Sequence, residues 1–397
     1  MRRAGALVLS AAIGGVLGAL IMLAVPVPGA RVEPEVPRVP SEAIVGEAPV
    51  ETLLAWTPGR LPDGFAEEAG RLEGVGRVAV VRSGVAWLTA WRDRGGRTQR
   101  PPSGFMVPVE VAAVHAGRYL DFVPPGDREA FGRLAQGEAV LGRTGAELRG
   151  MGPGGVLRFG KTTLRVRAVV DDELVGAHEV VVSNAAGRRL DILRERYLLL
   201  DPTEGTDRRL IEKGLRGLLP EGRRIRVRGP GETPVFRHGD AVLPPVTLKE
   251  TFGEFAATPE ADGTIRPDPR WVDEHIREVR LPIVGTAVCH RDVLLQIESA
   301  LGELSRRGLA SLIDRADFGG CFSPRFLNRD PGSGLSHHAW GVAIDLNVSE
   351  NRFGEEPRMD RRVVEVFERW GLTWGGRWLV PDGMHFEFLG FPLAPKG

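Results

Sequence analysis

Ser336-His337-His338-Ala339-Trp340-Gly341-Val342-Ala343-Ile344-Asp345 reads S-x-H-x-x-G-x-A-x-D, and Asp382-Gly383-Met384-His385-Phe386-Glu387 follows it. Both segments contain a strand pattern. Period-two alternation puts Ala343, Asp345 and Asn347 on one face and Ile344 and Leu346 on the other. In the second segment His385 and Glu387 alternate with Met384, Phe386 and Phe388. Two such strands laid side by side bring Asp345 next to His385. His338 closes the third corner across a turn that Gly341 permits.

Two neutral imidazoles and one carboxylate suit Zn²⁺ and leave it a net positive charge and an open position for water. Asp382, three residues before His385, is placed to act as a general base on such a water without binding the metal. His337 and His338 are adjacent, so in extended chain they face opposite ways, and the spacing selects His338. His238, His275 and His290 lie outside both motifs and read as structural. His290, beside Cys289, is the weaker alternative ligand. His115 and His178 have no ligand-like company. Ser336 reads as a hydrogen-bonding residue, since no base and orienter are legible for a nucleophile. Trp374 and Trp378 suit either the core or a cleft wall.

Working outward, Asp292–Gly308 carries Val293, Leu294, Ile297, Ala300, Leu301 and Leu304 at helical spacing, which predicts a helix packed on the site's strands. Met359–Trp370 is a second predicted helix, stopped by Gly371. Trp271–Arg277 predicts a short helix begun near Asp268 or Pro269. Earlier, from Thr52 to Gly239, Val-rich runs at Arg77–Arg82, Val85–Trp91, Met106–His115, Leu164–Val170 and Glu179–Ser183 read as strands. Phe65–Leu72, Arg128–Leu134 and Asp207–Leu215 read as helices. The fold class is α+β in both regions, 52–239 and 240–397, joined near Leu243-Pro244-Pro245.

At the N-terminus, Met1-Arg2-Arg3 precedes an uncharged apolar run from Ala4 to Val25, 22 residues long. That length suits a membrane-spanning helix, with a cleaved export signal as the alternative. Arg2 and Arg3 hold the N-terminus inside and leave the bulk of the chain extracytoplasmic. Prolines from Pro26 to Pro49 predict an extended spacer over 26–51. Lys+Arg and Asp+Glu both total 52, so no basic excess argues for a nucleic-acid partner. The two cysteines, Cys289 and Cys321, form one disulfide in an exported chain or remain two buried thiols.

The two motifs resemble those of the M15 family of zinc peptidases, which includes D-alanyl-D-alanine carboxypeptidases and dipeptidases and L-alanyl-D-glutamate endopeptidases. The resemblance spans about Leu243 to Pro392. It implies an α+β domain with a central antiparallel sheet of the Hedgehog/DD-peptidase type. It also implies zinc ligands His338, Asp345 and His385, with Asp382 as base. Asp at that position, where the carboxypeptidases and dipeptidases usually carry Glu, and Trp374-Gly375-Gly376-Arg377-Trp378 ahead of it look more like the endopeptidase branch. Family members also carry an arginine that stabilises the oxyanion, and Arg325 is the best match, with Arg329 its competitor. The implied substrate is the peptidoglycan stem peptide. Short pieces such as Leu61-Pro62-Asp63-Gly64-Phe65 and Gly137–Gly142 resemble the periplasmic core domain of MacB/FtsX-type permeases. They leave residues 52–239 open to a cell-envelope protein partner. The competing reading is a non-catalytic wall- or partner-binding module that keeps a structural zinc. Asp382 argues against it, because a binder needs no base.

Overall fold

Valine-rich runs that alternate between two apolar faces pair into one large mixed sheet in the computed structural model. The structure describes residues 52–392 except Arg133, Pro230, Gly231, residues 233–238 and Val242. The expected membrane anchor at 1–25, the spacer at 26–51 and His238 therefore lie outside the described residues. Among the described residues no helix is long and apolar enough to cross a membrane.

The sheet uses β1 (Leu53–Trp56), β2 (Val75–Leu88), β3 (Ala90–Arg92), β4 (Thr98–Gln99), β5 (Val107–Val114) and β6 (Glu138–Gly142). It continues with β7 (Val156–Phe159), β8 (Thr162–Val170), β9 (Val180–Ser183), β10 (Glu195–Pro202) and β11 (Arg226–Arg228). Their order is β11-β1-β10-β2-β5-β9-β6-β8-β7-β3-β4. The β5–β9 and β6–β8 pairs are parallel and the rest antiparallel. Both faces are covered, which is why β5 reads as a near-continuous apolar run. Ala112 and Val114 join Tyr119 and Phe131 in one cluster, and Val111 and Ala113 join Ala146 and Ala186 in another. Those partners come from α2 (Ala116–Tyr119), α3 (Arg128–Phe131), α4 (Arg143–Leu148) and α5 (Asn184–Arg189), while α1 (Phe65–Ala69) and α6 (Arg208–Gly217) pack with Leu198 and Leu200 of β10. The two strands expected at Arg77–Arg82 and Val85–Trp91 are instead one long strand broken at Thr89. Gly84 keeps its pairing with Val111, and a Cβ there would meet Ile192 at 3.2 Å.

The second region begins with α7 (Pro245–Phe252), the hairpin β12 (Ala257–Pro259) and β13 (Ile265–Pro267), and α8 (Pro269–His275). Asp268 caps α8 by accepting from the Arg270 amide at 3.2 Å, and Pro269 takes the first position. The helix ends at His275 because Ile276 enters a hairpin, β14 (Ile276–Leu281) with β15 (Gly285–His290). After α9 (Leu294–Arg306), β16 (Ala343–Asp345), α10 (Arg361–Arg369), β17 (Leu372–Trp374) and β18 (His385–Phe388) build a three-stranded antiparallel sheet in the order β16-β18-β17. Its apolar face carries Ile344, Phe386 and Phe388, packed with Ile297, Leu301 and Leu304 of α9 and Val363 and Phe367 of α10. Phe367 and Phe386 stand 4.6 Å apart, and burying each such ring stabilises by roughly 1.5–3 kcal/mol.

The regions meet through charge as well as apolar contact. Lys249 of α7 reaches Glu179 at 2.7 Å and Glu254 at 3.3 Å, and Arg149 reaches Glu179 at 2.5 Å and also pairs with Glu254. Two cations and two anions are buried together, so each charge has partners that offset part of its desolvation cost. Trp87 of β2 meets Phe326 edge-on at 6.2 Å.

Cys289 of β15 is bonded to Cys321, 32 positions on in sequence, with Cα atoms 5.3 Å apart. Closing a loop of that length stabilises by about 3–4 kcal/mol at most. The Cys289→Ser, Cys321→Ser protein is expected to unfold at a lower temperature than wild type under oxidising conditions. Added reductant should lower the wild-type midpoint toward the variant's; a midpoint insensitive to both changes would refute a stabilising bond.

Candidate metal centre

Antiparallel pairing of β16 with β18 sets Asp345 directly opposite His385, and Ile344 opposite Phe386. The same pleat that buries the apolar pair turns the polar pair to the other face. His338 comes from a tight turn, His337–Ala339, whose preceding Ser336 hydroxyl accepts from the His338 amide at 3.4 Å. Gly341 returns the chain to β16 with φ of 69°, and a Cβ there would lie 2.9 Å from the His290 nitrogen. The close approach is used, since the His290 amide donates to the Gly341 carbonyl at 2.9 Å. The strand expected to run to Asn347 stops at Asp345. Asn347 takes a left-handed conformation, and its amide bridges Asp314 N–H and the Leu312 carbonyl, each at 2.8 Å.

The three polar atoms form a near-equilateral triangle. His338 Nε2 lies 3.2 Å from Asp345 Oδ1 and 3.1 Å from His385 Nδ1, and His385 Nδ1 lies 3.0 Å from Asp345 Oδ1. Ligands about 2.0–2.1 Å from a tetrahedral zinc stand about 3.3 Å from one another, so this donor set fits that ion with little movement. All three residues are buried. Each imidazole is also oriented from behind. His338 Nδ1 lies 2.7 Å from the Cys321 carbonyl, which requires the proton on Nδ1 and frees Nε2. His385 Nε2 lies 3.2 Å from Glu387 Oε2, and Glu387 is in ion-pair contact with His337 Nδ1 at 2.8 Å. A carboxylate or carbonyl behind a ligating imidazole fixes its tautomer and raises its basicity.

The charges follow from this packing. Burial opposes charge on His385, but hydrogen bonds to Asp345 and Glu387 outweigh it and push its pKa up to about 10 in the metal-free site. Burial lowers the pKa of His338, which is neutral. Burial alone would raise both Asp345 and Glu387; the neighbouring imidazoles win, and both carboxyls are held below their ordinary range. Asp382 behaves differently. Burial raises it to about 6 against the pull of His385 and Arg325. Its Oδ1 is buried with no hydrogen-bond partner among the described residues. Asp382 is therefore a carboxylate held beside the donor triangle and left free to take a hydrogen bond from another molecule.

Arg325 is half-buried and feels both Asp345 and Asp382, while burial lowers its pKa. Its side chain donates to the Ser323 carbonyl at 3.2 Å, and its carbonyl accepts from Ser336 at 3.0 Å, which ties it to the His338 turn. Arg329 is exposed and its nearest acid is Asp262, at 3.8 Å. Trp378 lies 5.2 Å from the His385 ring, whereas Trp374 donates to the Gly383 carbonyl at 2.8 Å and braces the Asp382 loop. His290 spends one nitrogen on the Phe252 carbonyl at 3.1 Å and accepts the Asp292 amide at the other at 3.2 Å, so no lone pair remains for a metal. His275 stacks on Trp271, and His178 and His115 make local backbone contacts. The sequence reading assigned no role to Glu387 or the Cys321 carbonyl. Glu387 was within reach of it, because period two puts Glu387 on the same face as His385.

A family model described as D-alanyl-D-alanine carboxypeptidase matches residues 329–388. No curated protein matches the chain significantly. The first region is similar to the periplasmic region of MacB from Actinobacillus actinomycetemcomitans, at 13% identity and a TM-score of 0.33, covering 48% of this chain and 91% of that one. It is also similar to the extracellular domain of the noncanonic ABC-type transporter YknZ from Gram-positive bacteria, at 13% identity and a TM-score of 0.32, covering 44% and 99%.

Hydrogen bonds to Asp345 and Glu387 favour the protonated form of His385, so zinc and a proton compete for Nδ1. Zinc binding at pH 7.5 should release about one proton, read from the dependence of calorimetric heat on buffer ionisation enthalpy. Binding should be lost in His385→Ala, and equal zinc content in that variant would remove His385 from the donor set.

Proposed function

We propose that the chain is a zinc-dependent metallopeptidase that hydrolyses peptide bonds in peptidoglycan stem peptides outside the cytoplasm. The observation that carries this is the His338–Asp345–His385 triangle with the buried, unpartnered Oδ1 of Asp382 beside it. When bound, Zn²⁺ supplies the Lewis acidity that brings a water's pKa toward neutrality and polarises a carbonyl. Asp382 accepts the proton of the attacking water and returns it to the leaving amine, a task suited to a carboxyl raised toward neutral pH. Arg325 donates to the oxyanion that forms on the substrate carbonyl. His337 and Glu387 hold His385 in place and stay out of the chemistry. The disulfide suits an oxidising compartment, in keeping with an exported chain.

Two bonds are in question. Asp at the base position supports L-alanyl-D-glutamate endopeptidase activity, which we favour. The family description over 329–388 supports D-alanyl-D-alanine carboxypeptidase activity, the second reading. Mass spectrometry of muropeptides after digestion separates them: cleavage between L-Ala and D-Glu, or loss of a terminal D-Ala. An unchanged digest by zinc-loaded protein would count against both and favour a binding module.

Asp382→Asn should keep its zinc and lose hydrolysis by roughly 10²–10⁴-fold. Asp382 works only when ionised, so activity falls as pH drops through its folded pKa. That value is about 6 without metal, and a nearby cation lowers it, so the acid limb should lie at or below about pH 6. A raised carboxyl pKa also means that the charged form costs stability above it. The metal-free Asp382→Asn protein should therefore be more stable than metal-free wild type at pH 7, by on the order of 1–2 kcal/mol. Full activity in this variant would take the base role from Asp382.

A further inference from the structure

The loop that carries Asp382 has no regular structure between the short turn Gly375–Arg377 and β18. It holds Asp382 Oδ1 buried without a hydrogen-bond partner among the described residues. Such an atom gains solvation by swinging into water, so the contacts that fix the loop oppose that movement. Inside the second region the loop is tied at several points: Trp374 donates to the Gly383 carbonyl at 2.8 Å, and the His385 amide donates to the Asp382 carbonyl at 3.2 Å. The Asp382 amide donates to the Gly375 carbonyl at 3.0 Å, and the Pro381 carbonyl accepts from Gly354 at 2.7 Å.

A further hold comes from the other side. At Leu379, three residues before Asp382, both backbone groups are taken by side chains from the end of the first region and the join. The Leu379 amide donates to Asp240 Oδ2 at 2.7 Å, and the Leu379 carbonyl accepts from Arg224 at 2.9 Å. Asp240 is itself anchored, through its other oxygen, by Arg226 of β11. The Leu379 side chain packs against the core cluster of the large sheet that contains Leu54, Trp56, Val81 and Tyr197. Trp378, the preceding residue, faces the His385 ring. A residue pinned at its amide, carbonyl and side chain thus sits between one that contacts a ligand imidazole and the one that carries the free carboxylate.

We propose that the first region is a positioning element of the active centre, with Arg224 and Asp240 clamping Leu379 so that Asp382 is held at the donor triangle. This rests on the reading of Asp382 as the base. The large sheet is then a fixed wall to which the base loop is attached, and an event that moves β11 or its flanking loop relative to β18 changes turnover without touching a metal ligand. Arg224 and Asp240 are positioning residues; neither meets the substrate.

The test uses the full zinc-loaded chain and two independent readouts. Asp240→Ala should lower kcat about tenfold, the scale expected for a sub-ångström misplacement, with KM and zinc content as in wild type. Amide exchange in a peptide spanning residues 376–384 should become faster. Asp240→Asn keeps an oxygen for the Leu379 amide and should restore both. Arg224 is exposed, and among the described residues its side chain reaches only the Leu379 carbonyl, so Arg224→Ala tests the clamp even if Asp240→Ala misfolds. It should move both readouts the same way, and Arg224→Lys should bring them back. Unchanged exchange in Arg224→Ala and Asp240→Ala overturns the clamp, as does a kcat loss matched by zinc loss and not rescued by Asn. Wild-type protein that exchanges as expected but cleaves no muropeptide overturns the peptidase reading and leaves the clamp standing.

Discussion

The pairing of Asp345 with His385 across β16 and β18 is the constraint on which the centre depends. Side chains on a strand alternate with period two, so a slip of β18 by one residue would turn His385 into the core and bring Phe386 out beside Asp345's face. Register is held by the apolar face. Phe386 and Phe388 are locked between α9 and α10, and their burial makes the slipped register costly. Packing on one face of a three-stranded sheet thereby sets the position of a ligand pair on the other. His338 then needs only a tight turn and a glycine to reach the same point.

The polar face is satisfied as a chain and not as isolated pairs. His337 meets Glu387, Glu387 meets His385, His385 meets Asp345 and His338, and His338 meets the Cys321 carbonyl. Asp345 and Glu387 flank His385 and favour its charged form, so the two carboxylates and the imidazole offset one another. That explains how so many titratable groups stay buried together. His337 Nδ1 lies 2.8 Å from Glu387 without hydrogen-bond geometry, and Asp382 Oδ1 has no partner within that distance among the described residues, which marks where the network opens toward another molecule.

How much of this was legible in the sequence divides along physical lines. The helices α9 and α10, the strand patterns around Asp345 and His385, and the turn at Gly341 follow from local periodicity and backbone preference. The end of β16 was misplaced by two residues because Asn347 hydrogen-bonds Asp314 and Leu312, partners more than 30 positions away. β10 and β17 went unread, and each is held in place by neighbouring strands distant in sequence. The buried group of Arg149, Glu179, Lys249 and Glu254 was invisible for the same reason. Each residue alone looks like ordinary surface charge, and only the fold brings opposite signs together.

That buried group also bears on how the two regions depend on each other. Glu179 lies on the first side of the join and Lys249 on the second, with less than 5% of either side chain exposed. Separating the regions would leave Lys249 with Glu254 alone and Glu179 with Arg149 alone, all newly exposed to water. Removing one partner from a buried pair costs about 3–5 kcal/mol when the other stays buried, but much less when it can be hydrated. The electrostatic penalty of separation is therefore modest, and charge alone does not make the regions inseparable. The apolar contacts do more: Trp87 against Phe326, and Leu379 against the large sheet's core, would lose burial with no compensating solvation. The charged group specifies which surfaces meet, since a misdocked arrangement would bury it unpaired, and the apolar contacts supply the net attraction.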